Sequence, residues 1–441
     1  MTTDKTVAEI EWVKGTLLPE LLKSDNFKED NGLSDVIYEN VKLDNVKVKF
    51  IGPEEAFMLT SCYRAVITFE YADGGPKTTK LVVKRTPNLP QHAFESLQFE
   101  KLFSNEINAY KTIMPALEKF SQQTINKPRF YYGDLGENYA TLVLQDFDME
   151  NWRICKQKVN LSLGHTLVAI RNLGTFHGIG FALRHKNRAE FDRITKDLKE
   201  TRYERKTIHP NFQIQITTSA ERVVIATKKY QPHVDSEFLE RYKRLTQEYV
   251  LFGRQMVKPV EPFVTLCHGD YLRNNIAFKY SENSEEPNDS LTFDLQTMRL
   301  CSPMLDFVTF LSLSCYTATR YEYFDQIFEE YYNQLTKTFK ENTEVAETPD
   351  YLSPESLLSE YRRYLPCGLS SASFFLMQLV EPLQLTSEEF IMRKLSLEEQ
   401  RQDVLTRGGE VVDRELSNQM KELYDFVQKN GLNIFKSFDY V

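Results

Sequence analysis

One segment of the chain, residues 267–278 (CHGDYLRNNIAF), concentrates side chains that can take part in phosphoryl transfer. Asp270 lies five residues before Asn275, and a second aspartate, Asp294, ends the short apolar run LTFD. Phosphoryl transfer from ATP needs one carboxylate to orient and deprotonate the acceptor hydroxyl. It also needs an amide oxygen and a second carboxylate to hold Mg²⁺ on the triphosphate. Because short patterns recur by chance in long chains, the interpretation depends on what accompanies them.

A lysine and a glutamate upstream extend the pattern. Lys84 lies in an apolar, strand-like run, KLVVKR, that follows a Gly74-Gly75 turn. Glu106 lies on the apolar side of a predicted helix, whose apolar residues recur at three- and four-residue steps: Phe103, Ile107, Tyr110, Met114, Leu117 and Phe120. An unpaired carboxylate facing a core is costly, so Glu106 should have a cationic partner, and Lys84 is the natural candidate. A strand lysine and a helix glutamate, followed later by Asp, Asn and Asp, match the order of parts in a kinase.

With these residues in place, the chain resembles the ecdysteroid kinase-like proteins of insects, within the choline/aminoglycoside-type kinases (the CHK kinase-like domain). The motifs that carry the resemblance are HGDYLRNNIAF, FDLQTMRLCSPMLDF, FSNEINAYKTIMP, LVLQDF and LGTFHGIGFALRHK. The resemblance covers most of the chain, from about residue 49 to residue 383. The resemblance implies ATP and Mg²⁺ as cofactors. It also implies one role for each polar residue: catalytic base for Asp270, metal ligands for Asn275 and Asp294, and a phosphate-anchoring pair for Lys84 and Glu106.

The nucleotide site departs from the protein-kinase pattern. There is no G-x-G-x-x-G loop, and the stretch between the first predicted strands is GPEEAFMLTSCYR. Thr60, Ser61 and backbone amides there are candidates to cover the phosphates, with strand packing as the alternative. Glu54 and Glu55 would repel phosphate and should face solvent. The DFG motif is replaced by DLQ, beginning at Asp294.

The predicted hinge is the segment QDFD, residues 145–148. Its backbone groups should meet an adenine edge, so Gln145 and Phe147 are assigned to nucleotide binding.

Three residues around the loop have supporting roles. Arg273 is a candidate to stabilise the transferring phosphoryl group as a cation, with an ordinary surface arginine as the alternative. His268 is interpreted as bracing the loop through hydrogen bonds rather than as an acid or base. Asp306, which follows a Ser-Pro pair, either caps its helix or ties down the loop, and the resemblance favours the second role.

The acceptor is predicted from the length of one connection. Only eight residues separate Asp294 from the helix expected near Pro303. A protein kinase has a much longer activation segment there, ending in A-P-E, to dock a peptide. We therefore predict a small hydroxylated molecule as the acceptor.

The acceptor contacts should come from two aromatic- and Met-rich stretches, residues 316–332 and 370–383. Such positions usually form core, but some can line a lipophilic cleft, for which Phe374 and Met377 are the candidates. A lipophilic cleft suits a steroid or phenolic better than choline or an aminoglycoside, which call for carboxylates or aromatic cages. Clustered glutamates at 329–330 and 360 leave the second class open.

Composition bounds the classes of function. The chain has 441 residues, 41% of them hydrophobic, which is ample for a folded core. A net charge of −9 argues against a nucleic-acid surface, which needs clustered Lys and Arg. No apolar run is long enough to span a bilayer. The first residues indicate an amphipathic helix rather than a secretory signal, and six scattered cysteines indicate reduced thiols in a cytoplasmic protein.

These patterns predict an α+β, bilobal protein-kinase-like fold. Residues 1–148 form a small sheet-rich lobe that covers the nucleotide, and residues 149–441 form a large, mainly helical lobe with the catalytic loop and acceptor site. A helix with glycines at 174 and 178 should pack closely on a neighbour. The predicted function is an ATP-dependent O-kinase acting on a lipophilic acceptor such as an ecdysteroid or xenobiotic. The alternatives are a catalytically silent nucleotide-binding or regulatory protein and a choline/aminoglycoside-like kinase.

Overall fold

One antiparallel sheet forms the frame of the N-terminal part. The computed structural model describes residues 2–34, 41–52, 59–71, 75–157, 159–204, 208, 210–393 and 395–436. The strands are β1 (Val41–Phe50), β2 (Ser61–Tyr71), β3 (Gly75–Arg85), β4 (Phe130–Gly136), β5 (Tyr139–Gln145), β6 (Arg153–Ile154), β7 (Thr265–Cys267), β8 (Ile276–Tyr280), β9 (Pro287–Thr292) and β10 (Arg299–Cys301). The first five pair in the order β1-β2-β3-β5-β4. Glu54, Glu55 and Gly74, to which solvent-facing and turn roles were given, lie outside the described residues.

Strand β3 separates a core face from a cavity face. Its residues alternate across the sheet, so Leu81 and Val83 are fully buried against the N-terminal helices. Val82 and Lys84 point to the opposite face and line a cavity. The two-residue period therefore brings the lysine to the cavity on a strand that is fixed by apolar packing.

Helices make up most of the remaining chain. They are α1 (Thr2–Trp12), α2 (Leu18–Leu21), α3 (Asp25–Asn31), α4 (Gln91–Ser96), α5 (Phe99–Asn108), α6 (Met114–Phe120), α7 (Leu163–Lys186), α8 (Arg188–Thr195), α9 (Pro210–Tyr230), α10 (Ser236–Gln247), α11 (Tyr249–Val257), α12 (Met304–Ser314), α13 (Thr317–Glu322), α14 (Phe324–Thr343), α15 (Pro354–Val380), α16 (Ser387–Met392), α17 (Leu397–Thr406) and α18 (Gly409–Asn430). Among the described residues, no helix combines the length and apolar character that a membrane crossing requires.

The predicted α+β, bilobal kinase-like fold is confirmed: an antiparallel sheet dominates the N-terminal part, and helices dominate the C-terminal part. The boundary between residues 148 and 149 stays a prediction. The predicted helix around Glu106 is present as α5 and α6, joined by a π-helical turn at Ala109–Ile113. Of its apolar stripe, Phe103, Tyr110, Met114 and Leu117 are buried, and Ile107 and Phe120 are half-buried. Glu106 is only 1% exposed on the same side.

The glycines of α7 permit close contact with α14, as predicted. A Cβ atom at Gly174 would lie 2.8 Å from the Tyr331 carbonyl oxygen, and one at Gly178 would lie 2.7 Å from the Leu335 carbonyl oxygen. Both distances are shorter than van der Waals contact. The lower helix propensity of glycine is therefore offset by the close packing of the two backbones.

Short strands hold the segment around Asp270. Strand β7 pairs with β10, and β8 pairs with both β6 and β9, all antiparallel. The stretch 281–290 (SENSEEPNDS) is polar throughout, as is typical of a solvated turn, but β9 already begins at Pro287. Ser290 is buried, and its carbonyl oxygen is satisfied by hydrogen bonds from the side-chain amides of Asn126 and Asn172.

Candidate functional site

A cavity of about 370 Å³ lies between the sheet and the helical part. Ten of the predicted site residues line it: Thr60, Lys84, Glu106, Gln145, Phe147, Asp270, Arg273, Asn275, Asp294 and Phe374. Ser61, His268, Asp306 and Met377 are not among the lining residues. The tertiary structure thus brings most of the predicted set into one space.

Lys84 is the centre of a charged cluster at one end of this cavity. Its ammonium nitrogen lies 2.6 Å from Glu106 Oε2 and 2.7 Å from Asp294 Oδ1. It also donates a hydrogen bond of 3.0 Å to Gln296 Oε1. The predicted contact between Lys84 and Glu106 is present. Asp294 and Gln296, both from the DLQ motif, share the same cation.

The cluster has two carboxylates and one cation, and this composition shifts the pKa values of Lys84 and Glu106. Burial alone would lower the pKa of Lys84, but the charges of Asp294 and Glu106 outweigh burial and raise it above its usual value. Burial raises the pKa of Glu106 to about 7, and the Lys84 ammonium opposes this only in part. Lys84 therefore stays charged, while Glu106 is the carboxylate that takes up a proton near neutral pH.

Asp294 has an unusual backbone conformation. Its φ and ψ angles of 63° and 60° lie in the left-handed region, which asparagine and aspartate occupy more readily than other residues with a Cβ atom. Its Oδ2 atom accepts a hydrogen bond of 3.3 Å from Gln296 Nε2. The turn directs the carboxylate toward Lys84 and the cavity.

The side chain of Asp306 holds the loop that carries Asp270. The Asp306 carboxylate is fully buried and accepts hydrogen bonds from the backbone N–H groups of His268 (2.6 Å) and Gly269 (2.8 Å). His177 Nε2 lies 3.2 Å from the same carboxylate. Burial would raise the pKa of Asp306, but these donors lower it below its usual value, so it remains ionised. This geometry matches the bracing role given to Asp306.

His268 uses both ring nitrogens within the loop. Its Nε2 donates to the Phe293 carbonyl oxygen at 2.9 Å, which leaves Nδ1 to accept from the Asp270 N–H at 3.3 Å. Both ring nitrogens are therefore hydrogen-bonded within the protein, and neither is available to exchange a proton with a substrate. This arrangement agrees with bracing rather than acid–base work. Gly269 has φ = 80°, and a Cβ atom there would collide with the Thr297 carbonyl.

Asp270 has a cationic partner that sequence reasoning missed. Arg202 Nη2 lies 2.7 Å from Asp270 Oδ1, and both side chains are largely buried. Arg202 belongs to the connection between α8 and α9, where Glu200 Oε1 accepts hydrogen bonds from the N–H groups of Arg202 and Tyr203. Burial would lower the pKa of Arg202, but Asp270 raises it above its usual value. No local pattern marks Arg202, because its role arises from a contact between distant segments.

Arg273 is not the surface arginine considered as an alternative. It is only 6% exposed, it lines the cavity, and its guanidinium donates to the Cys155 carbonyl oxygen at 3.3 Å. Its backbone N–H donates to Ser314 Oγ at 3.0 Å. Burial lowers the pKa of its guanidinium. The surface interpretation is wrong, since the 3₁₀ turn Arg273–Asn275 directs this residue inward.

The hinge closes the cavity on the sheet side. Gln145 ends β5, and its N–H donates to the Arg129 carbonyl, while the Asp146 N–H donates to the Lys80 carbonyl. Within the described residues, the Phe147 N–H has no such acceptor, and its ring packs on Phe293 with centres 5.3 Å apart.

Thr60 and Ser61 lie on different sides of the chain. Thr60 is buried, lines the cavity and has its hydroxyl 3.4 Å from Cys62 Sγ. Ser61, the first residue of β2, lies between two lining residues and is not one itself, as the alternation of a strand requires. Of these two residues, Thr60 alone lines the cavity.

The residues around Asp294 fit a hard divalent cation. Asn275 Nδ2 donates to the Asp270 carbonyl oxygen at 2.9 Å, so its amide nitrogen is occupied and its oxygen is directed away from that contact. The Asp294 carboxylate is 25% exposed to the same cavity. Mg²⁺ prefers carboxylate and amide oxygens with several water ligands, and Asn275 and Asp294 supply two oxygens of this kind.

The other end of the cavity is apolar and aromatic. Phe374 and Phe375 of α15 line it, and Phe374 stacks on Phe212 of α9 with ring centres 6.3 Å apart. Met377 does not line it. α15 directs its side chain away from the cavity, so it is fully buried in the helical core. There, Arg407 Nη2 lies 3.8 Å from its sulfur. The acceptor-pocket role given to Met377 is therefore withdrawn.

No curated protein matches the chain. Among solved structures, it is similar to an aminoglycoside-3'-phosphotransferase of type VIII, with 17% identity over 71% of this chain and 93% of that chain and a TM-score of 0.31. It is also similar to an AMP-bound spectinomycin phosphotransferase, with 13% identity over 85% of this chain and 97% of that chain and a TM-score of 0.35. The model of the ecdysteroid kinase-like family matches residues 54–343, more than half of the 441 residues. The chain therefore belongs to the ecdysteroid kinase-like family.

Proposed function

We propose that the protein is an ATP- and Mg²⁺-dependent O-kinase that transfers the γ-phosphoryl group to a hydroxyl of a lipophilic small molecule, an ecdysteroid or a xenobiotic. The observation that carries the proposal is the position of Asp270. It lies in one cavity with a charged end, formed around Lys84 and Asp294, and an aromatic end, formed around Phe374. A base between a phosphate-anchoring cluster and an apolar wall suits transfer to a lipophilic alcohol.

In this proposal, Lys84 holds the phosphates of ATP, and Glu106 keeps the lysine in place. The adenine edge meets the backbone at Phe147. Asn275 and Asp294 hold Mg²⁺, which would neutralise charge on the phosphate oxygens when bound.

Asp270 orients the acceptor hydroxyl and takes its proton as the oxygen attacks the γ-phosphorus. The new bond to that oxygen forms while the bond to the bridging oxygen breaks, and ADP leaves with the electron pair. Asp270 Oδ1 is paired with Arg202. This leaves Oδ2, which lies 3.4 Å from Asn275 Nδ2, as the oxygen for the hydroxyl.

The aromatic end favours a neutral acceptor over a polycation. Among the described lining residues, the carboxylates are Glu106, Asp146, Asp270 and Asp294. Glu106 and Asp294 are paired with Lys84, Asp146 belongs to the hinge, and Asp270 is paired with Arg202. The guanidinium of Arg202 already lies 5.7 Å from the Phe375 ring centre. A cationic acceptor would meet this arginine rather than a free carboxylate, which disfavours choline and aminoglycosides.

The test is a mass-shift assay for phosphate transfer from ATP over ecdysteroids, plant phenolics, choline and aminoglycosides, run on the parent protein and on Asp270→Asn. We expect a phosphorylated lipophilic alcohol, and a rate lower by roughly 10²–10⁴ in the variant with nucleotide binding retained. Nucleotide binding without transfer to any member of the panel would instead support the silent alternative. Transfer by Asp270→Asn at the parent rate would remove Asp270 from its role.

A further inference from the structure

The wall of the cavity at its aromatic end includes the buried amide of Gln215. Gln215 lies on α9, three residues after Phe212 and one before Ile216, and all three line the cavity. This spacing places them on one face of the helix. Gln215 is only 2% exposed, so its amide is surrounded by protein and cavity rather than by bulk water.

The side-chain nitrogen of Gln215 has no hydrogen-bond acceptor among the described residues. Buried side-chain donors are nearly always paired, because an unpaired N–H loses its hydration without compensation. A nearby lining residue shows the usual situation: Gln378 Oε1 accepts a hydrogen bond of 2.7 Å from Arg407 Nη1. Gln215 therefore stands out as a residue of the cavity wall whose side-chain donor has no partner among the described residues.

The surroundings of Gln215 restrict what can pair with it. Phe212 stacks on Phe374 and contacts Phe390 edge-on with ring centres 6.0 Å apart, so the amide is set into an aromatic wall. A ligand that fills this space must be largely apolar. It must also present an oxygen with a lone pair, since an N–H donor needs an acceptor.

We infer that Gln215 anchors a second oxygen of the acceptor, so that the site selects lipophilic molecules with two separated oxygens. One oxygen is the hydroxyl at Asp270, and the other is a carbonyl, ether or hydroxyl oxygen at the aromatic end. The inference rests on the proposed function for the identity of the first oxygen. It goes further in naming the residue that discriminates among lipophilic alcohols. A site built to hydrogen-bond one group rejects analogues that lack it, because its own donor is then left unpaired.

The test pairs two probes with two variants. The probes are a hydroxysteroid with a ketone at the opposite end of its ring system (epiandrosterone) and the same hydroxysteroid without the ketone. The variants are Gln215→Met, close in size and shape, and Ser219→Ala. Ser219 is a matched control because it lies one turn further along α9, is 1% exposed, and has a hydroxyl without a partner among the described residues, yet does not line the cavity.

Binding by calorimetry and kcat/KM for transfer are measured for each combination. In the parent protein the ketone steroid should bind about tenfold more tightly than its ketone-free counterpart. Gln215→Met should remove this preference, leave the KM for ATP unchanged and melt at or above the parent temperature, because it no longer buries an unpaired amide. Ser219→Ala should keep the preference.

The outcomes separate this inference from the proposed function. If calorimetry shows the ketone preference and its loss in Gln215→Met while no acceptor is phosphorylated, the anchor stands and the kinase proposal fails. If the parent protein phosphorylates lipophilic alcohols but binds both steroids equally, or Gln215→Met keeps the preference while folded, the inference is overturned. It is also overturned if the ketone steroid does not bind the parent protein.

Discussion

The guanidinium of Arg202 lies 2.7 Å from the carboxylate of Asp270, and the two side chains are only 18% and 16% exposed. A cation therefore occupies one oxygen of the proposed catalytic base. The contact fixes the carboxylate and places a positive charge beside the point where phosphate would be transferred.

The first prediction follows from the burial of this pair. Asp270→Asn leaves the Arg202 charge without its partner and should lower the free energy of unfolding by roughly 2–4 kcal/mol, close to the range for broken buried pairs. Arg202→Met in the Asp270→Asn background should restore part of the loss, because the uncompensated charge is gone. Thermal and urea unfolding of the parent, both single variants and the double variant measure this coupling.

The control for this cycle is an exposed pair. Lys80 Nζ lies 3.2 Å from Asp148 Oδ2, with side chains 43% and 59% exposed. Asp148→Asn should change the stability by less than about 1 kcal/mol. Additive effects of Arg202→Met and Asp270→Asn would show that the two side chains are not coupled in solution.

The second prediction concerns pH and Glu106. Burial raises its pKa from 4.5 to about 7, so the folded protein binds this proton more tightly than the unfolded chain does. The stabilisation that comes from this tighter proton binding is complete below pH 4.5 and is lost as the pH rises through about 7. The parent protein should therefore lose stability across this window relative to Glu106→Gln, which cannot titrate. Parallel stability curves for the two proteins between about pH 5 and pH 8 would contradict the raised pKa.

A third prediction separates metal binding from nucleotide binding. Asp294→Asn removes one of the two proposed Mg²⁺ ligands and one of the two charges on Lys84. We expect weaker ATP binding in the presence of Mg²⁺, by roughly tenfold or more, and little change in its absence. Calorimetric titration with and without EDTA measures both quantities. An equal loss under the two conditions would assign Asp294 to positioning Lys84 alone.

The fourth prediction distinguishes two neighbours on α15. Phe374 lines the cavity, whereas Met377 is fully buried in the core. Phe374→Ser should raise the KM for a lipophilic acceptor with little change in the KM for ATP. Met377→Ser should lower the free energy of unfolding by roughly 2–5 kcal/mol and depress both activities together. Melting curves combined with acceptor kinetics test the assignment, and a stable Met377→Ser variant with a selective acceptor defect would reverse it.

The fifth prediction tests the contact between α7 and α14. Gly178→Ala places a methyl group 2.7 Å from the Leu335 carbonyl oxygen, and a backbone atom cannot move aside as a flexible side chain can. We expect a loss of roughly 1–3 kcal/mol in the free energy of unfolding. Gly15→Ala is the matched control, because its added Cβ has no described atom within 4 Å apart from its chain neighbours and its own helix backbone. Equal melting temperatures for the two variants would disprove close packing at Gly178.

Much of this site could be predicted from the sequence because its signals are local. The residue types and spacing between Asp270 and Asn275 suit one loop, and the helical period around Glu106 shows which side of α5 is buried. A carboxylate on a buried face requires a cation, so electrostatics alone predicts the contact with Lys84 that the structure contains. The glycine pair of α7 likewise predicted a close helix contact, although not which helix would make it.

The tertiary structure decided the features that depend on contacts between distant segments. Arg202 carries no motif, and it meets Asp270 through a contact between distant segments. Glu200 accepts from the Arg202 N–H and also pairs with Arg299 of β10, which ties this connection to the strand beside the catalytic loop. Phe374 and Met377 look alike in sequence, yet the rotation of α15 places one in the cavity and the other in the core. Gln215 is an ordinary polar residue in the sequence, and only the packing of α9 beside α15 and α16 leaves its amide without a described partner. Local periodicity determines which residues share a face, whereas the packing of whole elements determines what that face meets.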